Sequence, residues 1–207
     1  MLNNEQKNTS LKEARKSDIM FAALKVFCEK GYAGTTVNDV VKKAKCSHGL
    51  FYHYFKNKKE IFDAVTEMRG KNMMDFLDEV LLDQTDYVHK LKKLTEYTFE
   101  NMKKDEIFAY RYYFFVSTVF VKAESNILPP KCKAPPHVRM FSFFEEGIKQ
   151  KNFSDRYDAH ECAKLYNSII QGATLSFILC PKEFKKSFKF PSVDFIIDIF
   201  KKETINE

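Results

Sequence analysis

The chain has 207 residues and a formal net charge of +6, and 44% of its residues are hydrophobic, 30% charged and 15% aromatic. With only six Gly and six Pro, this composition excludes collagen-like, intrinsically disordered and mini-protein classes, and it allows one large domain or two small ones. The longest apolar run, 114–121, is interrupted by Ser117 and Thr118 and is far shorter than the roughly 18 to 20 residues of a membrane span.

The positive charge is concentrated near the start of the chain. Residues 1–59 contain twelve Lys or Arg and five Asp or Glu, whereas the remaining residues contain 22 and 23. Clustered Lys and Arg commonly neutralise the phosphates of a polyanion, but charge alone is equally compatible with a solvated lysine-rich surface.

The start of the chain and the cysteines indicate the cellular compartment. Residues 1–17 are polar and lack an apolar stretch of signal-peptide length, so we expect a cytoplasmic protein. The five cysteines are an odd number, widely scattered and without a C-x-x-C pair, so neither a disulfide framework nor a zinc site is expected.

Hydrophobic residues recur with the 3.6-residue period of helices, and no window alternates as a strand would, so we predict an all-α protein of about nine helices. The first helix is expected over about 11–30 and ends at Gly31, a residue suited to the left-handed conformation. Asn57 and Glu60 resemble a capping box, opening one long helix of about 25 residues that Gly70 bends. Later helices are expected at about 88–102, 106–122, 138–151, 155–180 and 193–200.

Two short helices with a very tight connection follow the first helix. Thr36 is placed to cap one of them, and Ser47 is placed to cap the next. Only two residues lie between these helices, so they must cross at a steep angle, as in a helix-turn-helix. We therefore predict a basic N-terminal arm and helix-turn-helix domain over 1–57, with the motif at 36–55, followed by a helical domain over 58–207.

The second short helix has two unlike faces. Its core-facing positions are Phe51, Tyr54 and Phe55. Its outer positions, brought together by the helical period, are His48, Gly49, Tyr52 and His53. The outer side chains can hydrogen-bond phosphate oxygens or base edges, and the glycine permits close approach of the backbone. A helix with such a face fits the major groove of B-DNA.

This segment resembles the recognition region of the TetR family of bacterial transcriptional regulators. The family pattern is a small residue, Ser, variable, Gly, variable, apolar, Tyr, His or Tyr twice, Phe, and then a Lys that opens the fourth helix. The matching residues here are, in order, Cys46, Ser47, His48, Gly49, Leu50, Phe51, Tyr52, His53, Tyr54, Phe55 and Lys58. The motif match covers about 15–65, and beyond it only helix count, helix lengths and the pattern Glu146, Gly147, Ile148 agree. His48 and Cys46 depart from the frequent Lys or Arg and Val, so no base preference is carried over.

The resemblance implies an N-terminal helix-turn-helix domain that binds DNA and a C-terminal helical domain for ligand binding and dimerisation. The implied DNA-binding residues are Thr36, Ser47, His48, Gly49, Leu50, Tyr52, His53 and Lys58. Among them, the expected phosphate contacts are Thr36, Tyr52, His53 and Lys58. The expected base contacts are His48, Gly49 and Leu50. Two paired subunits would place their recognition helices in successive major grooves, about 34 Å apart, on a palindromic operator.

The C-terminal domain offers a candidate dimer surface and a candidate pocket. The residues expected at the dimer interface are Ala163, Ile169, Gly172, Ala173, Ser176, Ile196 and Phe200. The residues that could line a pocket are Phe99, Met102, Phe108, Tyr112, Phe115, Met140, Phe144 and Tyr166. Such aromatic and Met side chains suit a hydrophobic or cationic small molecule, although the same pattern also describes an ordinary core.

Two functional hypotheses follow. The first is a homodimeric, ligand-responsive repressor that a small effector releases from double-stranded DNA. The second is a DNA-binding architectural or assembly protein whose C-terminal core is filled. An enzyme is not expected, because the sequence contains no G-x-S-x-G, P-loop, dinucleotide-binding or zinc-hydrolase motif. For the same reason, no cofactor or metal is expected.

Overall fold

The computed structural model describes residues 4–67, 71–123 and 136–202, with side chains described except at 4–8, 71–75, 115, 118–123 and 136–138. Within these ranges the chain is all-α, as predicted, and its helices are α1 Asn4–Gly34, α2 Val37–Ala44, α3 His48–Tyr54, α4 Lys58–Glu67, α5 Lys71–Leu82, α6 Tyr87–Lys104, α7 Glu106–Ala123, α8 Pro136–Lys149, α9 Ala159–Leu179 and α10 Val193–Phe200. One 3-10 turn at Lys185–Ser187 precedes α10. None of the described helices is both long enough and apolar enough to pass through a membrane.

The chain divides into two compact units, Met1–Arg69 and Gly70–Glu207. We expected the boundary after residue 57, but α4 belongs to the first unit because it packs on α1. Ile61 and Val65 of α4 are buried, and Phe62 meets the ring of Phe27 edge-on at 5.3 Å. The expected long helix is described as α4 and α5, and residues 68–70 between them lie outside the described residues.

The first unit is a small helical domain around the apolar face of α1. Gly31 interrupts α1 with φ 68° and ψ 170°, a conformation that favours glycine, so the predicted end of the first regular helix is confirmed. Four helices contribute to the buried core, whose members include Ile19, Ala23, Val26, Phe27, Val40, Val41, Phe51, Phe55, Ile61 and Val65.

Residues at the start of α2 form a reciprocal cap. Asp39 N–H donates to the Thr36 hydroxyl oxygen at 3.2 Å, while Thr36 N–H donates to the Asp39 carboxylate at 2.9 Å. The Thr36 hydroxyl also donates to that carboxylate at 2.7 Å, and Lys30 donates to its other oxygen at 2.7 Å. These contacts, led by that of Lys30, hold the pKa of Asp39 far below its ordinary value.

In the second unit, α7 and α9 pack against each other and against neighbouring helices. Rings from three of its segments meet around Phe144, which lies 5.1 Å from Phe153 and 5.0 Å from Phe200. Gly147 on α8 makes this packing possible, because a Cβ at this position would overlap the buried ring of Phe153. The C-terminal end of α10 is held in place where Ser154 N–H donates to the Phe200 carbonyl at 2.9 Å.

The cap at Asp39 predicts an acid-sensitive first unit. Because its pKa is lowered in the folded chain, the charged carboxylate stabilises the fold above its unfolded pKa of about 3.9, and this stabilisation is lost as the pH falls below it. The substitution Asp39→Asn should therefore lower the free energy of unfolding near neutral pH. The difference from the wild type should shrink below about pH 4, as measured by urea unfolding followed by circular dichroism.

A matched control is Asp63→Asn, which removes the same charge from the same unit. Asp63 pairs with Lys59 at 2.6 Å, but the two side chains are 49% and 75% exposed, and such surface pairs stabilise proteins little. Equal stability of wild type and Asp39→Asn across the whole pH range would contradict the role assigned to this cap.

Candidate nucleic-acid interface

The turn between α2 and α3 has the tight geometry expected from the sequence. Lys45 adopts a left-handed conformation with φ 50° and ψ 45°, and Cys46 N–H donates to the Val41 carbonyl at 3.2 Å. Ser47 caps α3, since its hydroxyl oxygen accepts from Leu50 N–H at 3.1 Å. The predicted caps at Thr36 and Ser47 are thus confirmed, and α2 and α3 form a helix-turn-helix.

The two faces of α3 are separated much as the pattern predicts. Phe51 and Phe55 are 0% and 2% exposed, whereas Tyr54 is only half-buried. The exposed residues are His48, Gly49, Tyr52 and His53. The ring planes of His48 and Tyr52 are inclined at 27°, with centroids 6.4 Å apart, so the two rings are neighbours on the outer face.

Gly49 and Leu50 complete the outer face. A Cβ built at Gly49 would meet only the Ser47 hydroxyl oxygen, at an ordinary 3.9 Å. The fold therefore does not require glycine at this position, which leaves close approach by an external partner as a reason for it. Leu50 is half-buried and can offer only part of its side chain to a partner.

Thr36 is exposed, but its hydroxyl hydrogen is already donated to Asp39. This side-chain contact makes the hydroxyl a weaker candidate for binding phosphate than the resemblance implied. The amides of Val37 and Asn38 remain available at the start of α2, because the first N–H groups of a helix have no acceptor within it. At α3, by contrast, the Ser47 hydroxyl only accepts in its cap, so its own hydrogen can still be donated.

Lys58 lies at the first residue of α4, where it connects two parts of the first unit. Its ammonium donates to the Tyr32 carbonyl at 2.8 Å and lies 4.4 Å above the Tyr32 ring. An ammonium has three donor hydrogens, so this contact leaves two for a phosphate. Beside it, Glu60 accepts from Lys56 N–H at 2.6 Å rather than from Asn57, so the predicted capping box at Asn57 is only half formed.

The charges around α3 favour an anionic partner. The α3 segment contains no acidic residue, and the lysines Lys42, Lys45 and Lys56 are exposed nearby in the sequence. Other lysines of this unit are paired with acids, as Lys43 is with Glu29 at 2.8 Å. No cluster of metal-ligating side chains occurs among the residues that the structure describes.

The spacing Thr36-x-x-Asp39 before an apolar run is a capping signal, so the place of Asp39 near the start of α2 follows from the sequence pattern. The pattern missed Lys30, because its contact with Asp39 joins two helices.

The residues expected to line one pocket make ring contacts and core contacts within the second unit. Phe99 stacks on Phe190 at 4.4 Å. Phe108 lies 6.1 Å from Tyr97 and 6.4 Å from Tyr112. Buried in the core are Met102, Met140, Phe144 and Tyr166, and the side chain of Phe115 lies outside the described residues.

The residues expected at a dimer interface also divide into two groups. The side chains of Ala163, Ala173, Ile196 and Phe200 are buried within the second unit. They fall on the sides of α9 and α10 that close the core, and so they do not offer a surface to a second subunit. The residues left on the outer side of α9 are Ile169, Gly172 and Ser176, and they are joined there by Leu165 and Leu179.

Comparisons with known proteins agree with this geometry. Residues 19–65 match the family described as bacterial regulatory proteins, tetR family. The transcriptional activator FasR of Mycolicibacterium smegmatis is 24% identical over 132 residues, which are 62% of this chain and 60% of FasR. The biofilm operon icaADBC negative transcriptional regulator IcaR of Staphylococcus aureus is 30% identical over 86 residues, which are 41% of this chain and 44% of IcaR. The matched segments thus span less than two thirds of these curated relatives.

Solved structures extend the likeness to the whole fold. The SmeT–triclosan complex has a TM-score of 0.57 at 20% identity, covering 92% of this chain and 93% of that chain. Together with the helix-turn-helix and the outer face of α3, the match over residues 19–65 identifies this N-terminal segment as a domain of the TetR family of bacterial regulatory proteins.

Proposed function

We propose that this protein is a dimeric transcriptional repressor that binds a palindromic DNA operator and releases it when a small hydrophobic effector binds its second unit. The observation that carries this proposal is the exposed, acid-free outer face of α3, held in place by two buried rings. The family consists of regulatory proteins, and no enzymatic activity is indicated.

The outer face of α3 divides into groups suited to bases and groups suited to phosphates. His48 lies in the first turn of the helix, and the N-terminal residues of a recognition helix contact base edges. Tyr52 lies one turn later and is 54% exposed, with a phenol that can donate to a phosphate. Gly49 allows the backbone to approach the groove closely.

Substitutions of His48 and Tyr52 test this division. His48→Ala should change the base preference at one operator position by about 1–3 kcal/mol. Tyr52→Phe keeps the ring but removes the donor, so it should weaken binding to all sequences about equally. Selection of duplexes from a random pool, followed by binding titrations on the selected and scrambled duplexes, measures both effects. An unchanged preferred sequence for His48→Ala would refute its role in reading bases.

The proposed dimer forms through the outer side of α9. Leu165 and Leu179 are 47% and 64% exposed there, and Ile169, Gly172 and Ser176 lie between them at helical spacing. A Cβ at Gly172 would meet nothing within 4 Å, so the α9 backbone is open to close approach by another helix. Exposed apolar residues in one stripe favour burial against a partner, and a two-fold pair matches a palindromic operator.

A charge on this stripe should separate the subunits. Leu165→Lys is expected to shift the protein from dimer to monomer in sedimentation velocity, because a charge would be buried at the interface. The control is Leu82→Lys on α5, where the leucine is 78% exposed and lies outside the α9 stripe. A Leu165→Lys protein that remains as dimeric as the control would overturn this interface.

The buried polar groups of the second unit favour a neutral effector. Thr95 donates its hydroxyl hydrogen to the Leu91 carbonyl at 2.7 Å, so the Tyr166 hydroxyl must be the donor in its 3.0 Å contact with Thr95. Burial, with the nearby Tyr166, raises the pKa of Tyr112 well above its ordinary value, so its phenol remains a donor. No carboxylate is buried among the described residues of this unit, so a cationic effector would have no buried counter-charge.

The alternative of a filled core also has support. Phe144 contacts Tyr166 with ring centroids 6.2 Å apart, and Met102 lies 3.5 Å from the Thr174 hydroxyl, so several of the aromatic and Met side chains already fill space. This arrangement would suit a DNA-binding architectural or assembly protein that responds to no ligand.

Two aromatic probes that differ in charge distinguish between these hypotheses. Triclosan serves as a neutral aromatic probe and tetraphenylphosphonium as a cationic one. We expect calorimetry to show that triclosan binds more tightly than tetraphenylphosphonium. Tyr112→Phe should lower the affinity for triclosan, whereas the control Tyr113→Phe should not. Triclosan should also weaken DNA binding by the same factor by which DNA weakens triclosan binding. Absence of binding by both probes would favour the filled-core alternative.

A further inference from the structure

We propose that the exposed first part of α1, residues 9–16, is a second surface for DNA phosphates that adds affinity without adding sequence preference. This inference depends on the DNA-binding function proposed above. It assigns a role to a basic segment that lies outside the helix-turn-helix.

Residues 9–16 form a part of α1 that has no buried face. Each of these residues is exposed, including Leu11 at 62%, and Ile19 at 2% is the first buried residue among the side chains of α1 that the structure describes. A helical segment gains most of its stability in proteins from packing of an apolar face. Because none of these residues is buried, the charged ends of Lys12 and Lys16 are accessible to a partner.

The charge of the segment selects the class of partner. Residues 9–16 contain three basic side chains, Lys12, Arg15 and Lys16, and one acid, Glu13. Arg15 lies 3.8 Å from Asp18, but the two side chains are 64% and 62% exposed. Such a pair contributes little in water, so the guanidinium can exchange the carboxylate for a phosphate.

One contact places the basic face beside the recognition helix. The Lys16 ammonium lies 5.8 Å from the centroid of the Phe55 ring, and Phe55 is the residue at which α3 ends. Lys12 is one turn earlier on the same face of α1, about 6 Å further along the helix axis.

The position of Lys16 near the end of α3 favours duplex DNA as the partner of this segment. A duplex seated on the outer face of α3 extends past both ends of that helix, and Lys16 lies beside the end at Phe55, with Lys12 one turn away along α1. Flexible lysines contact phosphates as point charges and do not distinguish the bases. Each such contact releases condensed counterions, which makes its contribution visible as a dependence on salt.

The test compares Lys12→Gln and Lys12→Gln/Lys16→Gln with the wild-type chain on a duplex selected by the wild type. We expect the slope of log K against log salt concentration to decrease by about 0.9 for each phosphate that is no longer neutralised. For the double variant this is about 1.8 per subunit, or about 3.6 for the bound dimer. The preferred sequence should remain unchanged. Lys186→Gln is the control, because it removes an exposed charge from the second unit and should leave the slope unaltered.

The single variant Lys12→Gln controls for a loss of folding as the cause of a changed slope. Lys12→Gln leaves the contact between Lys16 and Phe55 intact, and urea unfolding should match that of the wild type. If the wild type binds duplexes and neither variant changes the slope, the surface proposed here is wrong while the DNA-binding function stands. If the wild type binds no duplex at low salt, the proposed DNA-binding function itself is wrong. If the variants prefer a different base sequence from the wild type, these lysines do not contact phosphates alone.

Discussion

The burial of Phe51 and Phe55 is the constraint on which the proposed DNA-binding surface depends. Their rings are 0% and 2% exposed, which fixes the rotation of α3 about its own axis. With that rotation fixed, the helical period directs His48, Gly49 and Tyr52 outward. A polar side chain in place of either ring would leave α3 without a defined outer face, even if the helix itself still formed.

Features set by neighbouring residues were predictable from the sequence. Thr36 and Ser47 cap α2 and α3 as expected, because a cap involves residues only three positions apart. Gly31 ends the regular part of α1 because its backbone conformation is a local property. The side of α3 that faces outward was also predictable, since alternation of buried and exposed positions follows directly from helical geometry.

Features set by contacts between distant residues were not predictable. The first unit extends to Arg69 because α4, whose Ile61 and Val65 are buried, packs on α1, a contact that periodicity within α4 cannot reveal. Likewise, small or apolar residues on α9 and α10 suggested an interface, but Ala173 and Ile196 are buried in the core of their own unit. Pocket residues are the hardest to predict from the sequence, because aromatic side chains that line a cavity in one protein fill the core in another.

The turn between α2 and α3 holds a conflict between conformation and charge. Lys45 adopts φ 50° there, a conformation that costs a residue with a Cβ about 1–2 kcal/mol relative to glycine. Glycine would relax the turn but would also delete an exposed cation from the surface that we propose for DNA. Attempts to make this domain more heat-resistant by idealising its backbone would therefore weaken the long-range attraction expected between this surface and DNA.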